Sequence, residues 1–343
     1  MMAVVSRTAI HAPVTVVGAG VVGLTCALRL TEAGFGVRVV ARERLGDTTS
    51  GVAAAIWYPY RAYPFERVLG WSRTGYDVLV SLVDAEPDAG VRVRVGTELV
   101  RDDAPDPWWA GAVPDLAKVT DVPPGFAIGW RFSAPVADMS RYMPWLESRL
   151  ASQGVVPELA TVADLGDVDG VVVNCAGLGA RELVPDPSVA PVRGQVVVVA
   201  QVGLDEWVVD EGDGPDLTYV VPRIDDVVVG GTAEEGASAL TVDPGTAAGI
   251  LARAGALVPA LAGARILSHK VGLRPARPTV RLEAEQRDGR TVVHCYGHGG
   301  AGVTLSWGCA ADVVRLVAAA HSCRAATPSL RSAGGHGPGG GRT

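Results

Sequence analysis

Continuous apolar runs and apolar–polar alternations divide this chain into interleaved blocks. Val14 to Val17, valine at every position but Thr15, has the pattern of a buried strand, and Val37 to Ala41, apolar apart from Arg38, reads as a second parallel strand. Between them Val21 to Ala33 has helical periodicity, with Gly34 placed to cap its C-terminus. The three segments predict a βαβ unit opening a doubly wound parallel sheet. Val168 to Ala180 repeats the run-then-glycine pattern, and Thr291 to Cys323 reads as a last strand and helix. Val91 to Val100 alternates and predicts an antiparallel strand, and the β-branched runs Gly194 to Val202, Leu217 to Arg223 and Asp226 to Thr232 read as further antiparallel strands. Ser140 to Gly154 has a helical face ending at a glycine.

The interleaving predicts an α/β fold in which a Rossmann-like domain, assembled from residues 1–58, 155–193 and 291–323, accepts a second, mainly antiparallel domain from residues 59–154 and 194–290. Residues 324–343, made of Gly, Pro, Ser and Arg among few apolar residues, lack the surface to order themselves and are expected to form a disordered tail. No internal repeat is evident.

Composition narrows the function more than the fold. The 343 residues are 48% hydrophobic and 20% charged, ordinary for a folded chain with a sizeable core. A net charge of −7 and basic residues that are nearly all scattered arginines, with lysine only at Lys118 and Lys270, leave no footprint for nucleic acid or an anionic membrane. No apolar run reaches the ~18–20 residues that span a bilayer, so no membrane association is expected. Cys26, Cys175, Cys295, Cys309 and Cys323 are far apart and form no CxxC pair, so neither a disulfide framework nor a metal site is expected, and a reducing cytoplasm is the simplest setting. The oligomeric state stays open, with a homodimer as one option.

Candidate chemistry lies at both ends of the chain. Gly18, Gly20 and Gly23 form GxGxxG between a strand and a helix, with Ala19, Val21 and Val22 completing the turn. The first glycine suits a tight turn, the second a close backbone approach to a pyrophosphate, and the third close helix packing. Glu43 lies near the spacing of a ribose-binding acid, while Arg42 occupies the end of the preceding strand. Thr48, Thr49 and Ser50 offer hydroxyls to a phosphate or ring edge, or else cap a helix. Ala53 to Ala55 would let backbone approach a flat ring. Arg274 in LRPARP reads as a guanidinium on a Pro-stiffened turn, fit to clamp a carboxylate, against a structural ion pair with Glu283 or Asp225. Tyr219 could donate to the same carboxylate or be a core tyrosine. His298 sits among glycines as either a base or a residue that orders the loop.

Together these segments resemble the flavin-dependent D-amino acid oxidase family over nearly the whole ordered chain. The blocks GAGVVGL, TTSGVAAAIWYPY, VVNCAGLGA, RGQ, TYVVPR, GLRPARPTVRLE and HCYGHGGAGVT occur in that order. The resemblance implies FAD held by Gly18, Gly20 and Gly23, with Thr48, Thr49, Ser50 and Ala54 lining one side of the flavin. Gly300 to Thr304, including Ala301, Gly302 and Val303, would line the other. It also implies Arg274 on the substrate carboxylate with help from Tyr219, the Gly300 carbonyl on the α-amine, and Ile56 and Tyr58 facing the pocket. Tyr58 stands where mammalian members resemble one another in using glutamine. The implied reaction is oxidative deamination of a neutral D-amino acid by hydride transfer to flavin N5, with O2 as acceptor, giving a 2-oxo acid, ammonia and hydrogen peroxide. An oxidase for acidic D-amino acids such as D-aspartate would need a second cation over the side-chain pocket, for which Arg223 and Arg61 are candidates. Glycine or sarcosine oxidation, an amino-acid-binding flavoprotein without turnover, and an NAD-dependent dehydrogenase are the remaining alternatives. Three departures stand out: GDGPDL (212–217) lacks the lid tyrosine of mammalian members, Cys295 replaces the usual residue of its block, and Arg42 obscures the ribose contact.

Overall fold

The computed structural model describes residues 13–325, except Asp213 and Pro215. Most of the expected tail, from residue 326 onward, lies outside the described residues. The chain opens with β1 (Val14–Val17), α1 (Val21–Glu32) and β2 (Val37–Ala41), followed by the short α2 (Thr49–Val52) and long α3 (Phe65–Ala85). Then come β3 (Val91–Val100), β4 (Ala117–Val119), β5 (Ile128–Ala137), α4 (Met139–Ala151), β6 (Glu158–Leu159), β7 (Val171–Asn174) and α5 (Ala180–Leu183). The rest is β8 (Ala190–Ala200), β9 (Trp207–Asp210), β10 (Asp216–Pro222), β11 (Asp226–Thr232), β12 (Glu234–Glu235), α6 (Pro244–Leu257), β13 (Ile266–Arg287), β14 (Arg290–His298) and α7 (Gly302–Ala325).

The strands lie in one continuous sheet rather than two separate ones. Its order is β4-β5-β3-β9-β10-β11-β8-β13-β14-β7-β1-β2-β6, with β12 beside β8. From β14 to β6 every pairing is parallel, and these strands come from 14–41, 158–174 and 290–298. From β8 outward the pairings are antiparallel, save that β3 also runs parallel to β9. The β13–β14 hairpin joins the two halves, because β13 pairs antiparallel with both β8 and β14. The boundary is therefore a shared strand pair.

Burial follows the sequence pattern. β1 and β7 are buried at every position, as valine-rich strands in a sheet covered on both faces should be, and Thr15 and Asn174 are buried with them. Asp138 caps α4, its carboxylate accepting from Ser140 N at 3.0 Å. Within α7, Gly302–Ser322 is long and apolar enough to cross a membrane by length and composition, contrary to the sequence expectation. Its Leu305, Trp307, Cys309, Ala310, Val313 and Val317 are instead buried in the main core cluster, and the helix packs on α1 and α3. Gly308 permits that contact, since a Cβ there would stand 2.3 Å from Trp71 Cα on α3.

Candidate active site

One cavity of about 960 Å³ is lined from both halves of the sheet and both ends of the chain. At one end is the turn after β1. Gly18 has φ +110°, and a Cβ there would lie 2.4 Å from the Cys175 carbonyl oxygen. A Cβ on Gly23 would lie 1.9 Å from the Gly18 oxygen, so the third glycine is required for the turn to close on its own helix. Gly20, Val21 and Val22 bring the α1 N-terminus to the cavity wall, as Gly302 and Val303 bring that of α7. The first-turn amides of both helices have no intrahelical acceptors and carry the positive end of the dipole, so apart from Val21 N, which donates to Ser50 Oγ, the wall offers donors to a polyanion and to ring acceptors. Arg42 and Glu43 line the far end together, ion-paired at 2.7 Å.

The hydroxyl cluster is committed locally. Thr48 Oγ1 donates to Leu45 O (2.8 Å), Thr49 Oγ1 donates to Leu273 O on β13 (2.9 Å), and Ser50 Oγ accepts from Val21 N (2.9 Å). These residues line the cavity, yet their side chains fasten α2 to its neighbours. Two expected cofactor residues stand outside the wall. Ala301 is fully buried behind it. Thr304 Oγ1 is engaged with the Tyr58 backbone, accepting from Tyr58 N and donating to Tyr58 O, both at 3.0 Å. Thr304 thus fixes the pocket segment with its side chain.

That segment is held as an edge to β5: Trp57 N donates to Pro135 O (2.8 Å), and Ala137 N donates to Ala55 O (3.0 Å). Ala55 adopts φ +59°, a left-handed conformation uncommon for a residue with a Cβ. Side chains then alternate. Trp57 is fully buried with Nε1 donating to Ser72 O (2.8 Å), whereas Ile56, Tyr58 and Tyr60 face the cavity. Tyr60 was not among the expected site residues, although the same period of two in IWYPY would have found it. Its ring lies against Gly300, where a Cβ would meet Cδ1 at 3.0 Å.

Arg274 lies within β13 rather than on a turn, opposite Val192 of β8. Its Nη1 donates to Thr232 O at 2.8 Å. The ion pair that would have made it structural does not form: Glu283 pairs with Arg281 and Asp225 with Arg141. Among the described residues Arg274 has no carboxylate partner, and with Arg42 it supplies the only arginine or lysine side chains in the cavity wall. Two glycine positions clear its surroundings. A Cβ on Gly194 would stand 2.4 Å from Arg274 Nη1, and one on Gly230 would stand 2.0 Å from Tyr219 Cζ. Burial pushes the Tyr219 phenol up from its ordinary pKa, opposed by the neighbouring Arg274 cation, so the hydroxyl stays a donor beside the guanidinium.

Other charged groups are accounted for. Arg223 is buried between Asp226 and Asp138, and Arg61 faces Glu235 while stacking over the Tyr60 ring. Neither lines the cavity. His298 does, nearly buried, its Nε2 4.0 Å from Cys295 Sγ, and its carbonyl accepts from Ala301 N. The cysteines, scattered in sequence, converge: the sulfurs of Cys26, Cys175 and Cys295 lie within 4.8 Å of one another, and Cys295, His298 and Cys309 form a second such group. Topology brings them together, because α1, β7, β14 and α7 meet there, and no local spacing could reveal it. All four thiols belong to the apolar core, where burial raises Cys309 and the adjacent Cys175 together with burial raises Cys26.

The segment between β9 and β10, where a lid tyrosine was noted as missing, contributes Glu211 to the wall. Tyr58 Oη lies 2.7 Å from Glu98 Oε1 and 2.8 Å from Glu211 Oε1. Neither glutamate carried a sequence signal: Glu98 lies on an insert strand, and Glu211, although it directly precedes GDGPDL, shows no local pattern that ties it to Tyr58.

The family model described as FAD dependent oxidoreductase matches residues 13–316. A D-amino-acid oxidase of Rubrobacter xylanophilus is 53% identical over 323 residues, covering 92% of this chain and 99% of that protein. One from Streptomyces coelicolor is 46% identical, covering 88% and 96%. Among solved structures, a glycine oxidase from Geobacillus kaustophilus superposes with a TM-score of 0.76 at 21% identity, covering 90% of this chain and 95% of that one.

Proposed function

Because the chain belongs to the FAD-dependent oxidoreductase family, we propose that it oxidatively deaminates D-amino acids to 2-oxo acids, ammonia and hydrogen peroxide. The observation carrying this reading is Arg274: a guanidinium without a carboxylate partner among the described residues, beside the Tyr219 hydroxyl, in the cavity onto which both helix N-termini open.

The donor set fits FAD. Gly18, Gly20 and Gly23 would hold the pyrophosphate at the α1 N-terminus, where a side chain at the first or third position has no room. Gly302 and Val303 would present α7 amides to the ring, and Arg42 and Glu43 line the end suited to the adenosine half. When bound, FAD supplies the two-electron acceptor that takes the Cα hydride and returns electrons to O2. The chain's own residues fix the substrate at separate points. Arg274 grips the α-carboxylate with planar, charge-assisted hydrogen bonds, Tyr219 adds a neutral donor, and the Gly300 carbonyl accepts from the α-amine. Water then hydrolyses the released imino acid.

Acidic substrates fit the cavity poorly, because Arg223 and Arg61, the two candidates for a second cation, are occupied elsewhere. The test is peroxide production from paired D- and L-amino acids by the holoenzyme and by Arg274→Ala. Leaving a carboxylate without its partner costs roughly 2–5 kcal/mol of transition-state binding. Activity on L-isomers equal to that on D-isomers, or an Arg274→Ala enzyme near wild-type kcat/KM, would refute the proposal.

A further inference from the structure

The Tyr58 hydroxyl stands between two carboxylates but has one proton to give. With Glu98 Oε1 at 2.7 Å and Glu211 Oε1 at 2.8 Å, it can donate to only one of them. The other must approach as a protonated acid. Burial assigns that proton to Glu98, whose pKa is pushed up to about 7 by desolvation, against the Tyr58 hydrogen bond and with the Glu211 carboxyl group beside it, and whose Oε2 is buried without a hydrogen-bond partner. The arrangement is therefore Glu98–OH to Tyr58 oxygen, and Tyr58–OH to the Glu211 carboxylate. Tyr58 thereby orients the Glu211 carboxyl group, which lines the cavity.

Among the described residues no cation pairs with Glu211. The adjacent Asp210 takes Arg101 in a two-pronged pair at 2.6 and 2.8 Å. Tyr60 links this corner to the carboxylate clamp, since both Glu211 and Arg274 act electrostatically on its hydroxyl. A substrate whose carboxylate rests on Arg274 thus meets a fixed anion elsewhere in the same cavity.

We propose that Glu211, oriented by Tyr58 and Glu98, is the specificity-determining residue of this cavity, favouring D-amino acids whose side chain ends in a cation and disfavouring those ending in a carboxylate. This rests on the oxidase reading above. A fixed carboxylate gains a charge-assisted hydrogen bond from an ammonium or guanidinium and repels another carboxylate, so both effects come from one group.

The test compares kcat/KM for D-lysine, D-norleucine and D-glutamate. D-norleucine matches lysine without the charge, so ratios to it cancel effects on the carboxylate, the amine and the flavin. In Glu211→Gln the D-lysine to D-norleucine ratio should fall about tenfold or more, chiefly through KM for D-lysine, while the D-glutamate ratio rises. Glu211→Asp should retain part of the D-lysine preference. A lysine ratio within twofold of wild type in Glu211→Gln overturns the assignment. If that variant fails to retain flavin, the wild-type ratios decide, and D-glutamate turned over as well as D-lysine overturns it. If no D-amino acid yields peroxide with wild-type holoenzyme, the oxidase reading itself has failed, and that outcome is distinct.

Discussion

Gly194→Ala tests the substrate clamp without removing any polar group. A Cβ at this position would stand 2.4 Å from Arg274 Nη1 and 2.6 Å from both Cζ and Nη2. Carbon and nitrogen out of bonding contact settle near ~3.5 Å, so the guanidinium must withdraw by about 1 Å. The extended backbone of β8 accepts alanine, and the obstructing atoms end a flexible side chain, so the conflict is relieved by moving Arg274 rather than by unfolding. Withdrawal also strains the 2.8 Å hydrogen bond from Nη1 to Thr232 O, which sets the fork's orientation. A positioning group displaced by ~1 Å costs about 100-fold, equivalent to about 2.7 kcal/mol. The assay is steady-state peroxide release from a neutral D-amino acid, with flavin absorbance and thermal unfolding as controls for fold and cofactor. Expected are a kcat/KM about two orders of magnitude down and an unchanged flavin spectrum. A kcat/KM within threefold of wild type would show that the Arg274 conformation seen here is not the one that binds substrate.

Tyr219→Phe removes one neutral hydrogen bond to the carboxylate and should lower kcat/KM by roughly 3- to 10-fold, about 0.5–1.5 kcal/mol; a loss as large as that of Arg274→Ala would mean the phenol does more than bind. Gly23→Ala places a Cβ 1.9 Å from backbone that cannot yield, so the purified protein should be colourless, and a yellow protein with a normal flavin content would contradict the assigned turn. Stability should also report Glu98. Its folded-state pKa of about 7 exceeds the ordinary 4.5, so the folded protein holds a proton that the unfolded chain releases. Stability is therefore greatest below pH ~4.5 for this group and falls by about 3 kcal/mol as pH rises to ~7. Denaturant titrations of holoenzyme should show this fall flattened in Glu98→Gln. Asp186 acts oppositely: Ser188, Tyr296 and Arg277 overcome the burial penalty and hold its carboxyl below the usual range, so its contribution is lost only as pH falls below ~4.

By itself the sequence determined the elements and the two ends of the site. Valine-rich runs become buried strands wherever helices cover a sheet, so β1 and β7, buried throughout, and β2, buried from Val39 to Ala41, could be read directly. The GxGxxG turn was legible because its requirements are local: Gly18 must adopt φ +110° and Gly23 must lie against the Gly18 oxygen. Arg274 and Tyr219 were legible as residue types, but Arg274 was placed on a turn because its prolines were read as breakers, whereas β8 on one side and a break in the β14 pairing on the other accommodate them in a strand. Tertiary structure alone decided whether Arg274 was free, since that depended on Arg281 and Arg141 taking Glu283 and Asp225. It likewise withdrew Thr304 and Ala301 from the wall, gathered Cys26, Cys175, Cys295 and Cys309, and set Glu98 and Glu211 on one phenol. Each of those outcomes depends on which distant residue occupies the adjoining space, and a pattern of near neighbours carries no record of that.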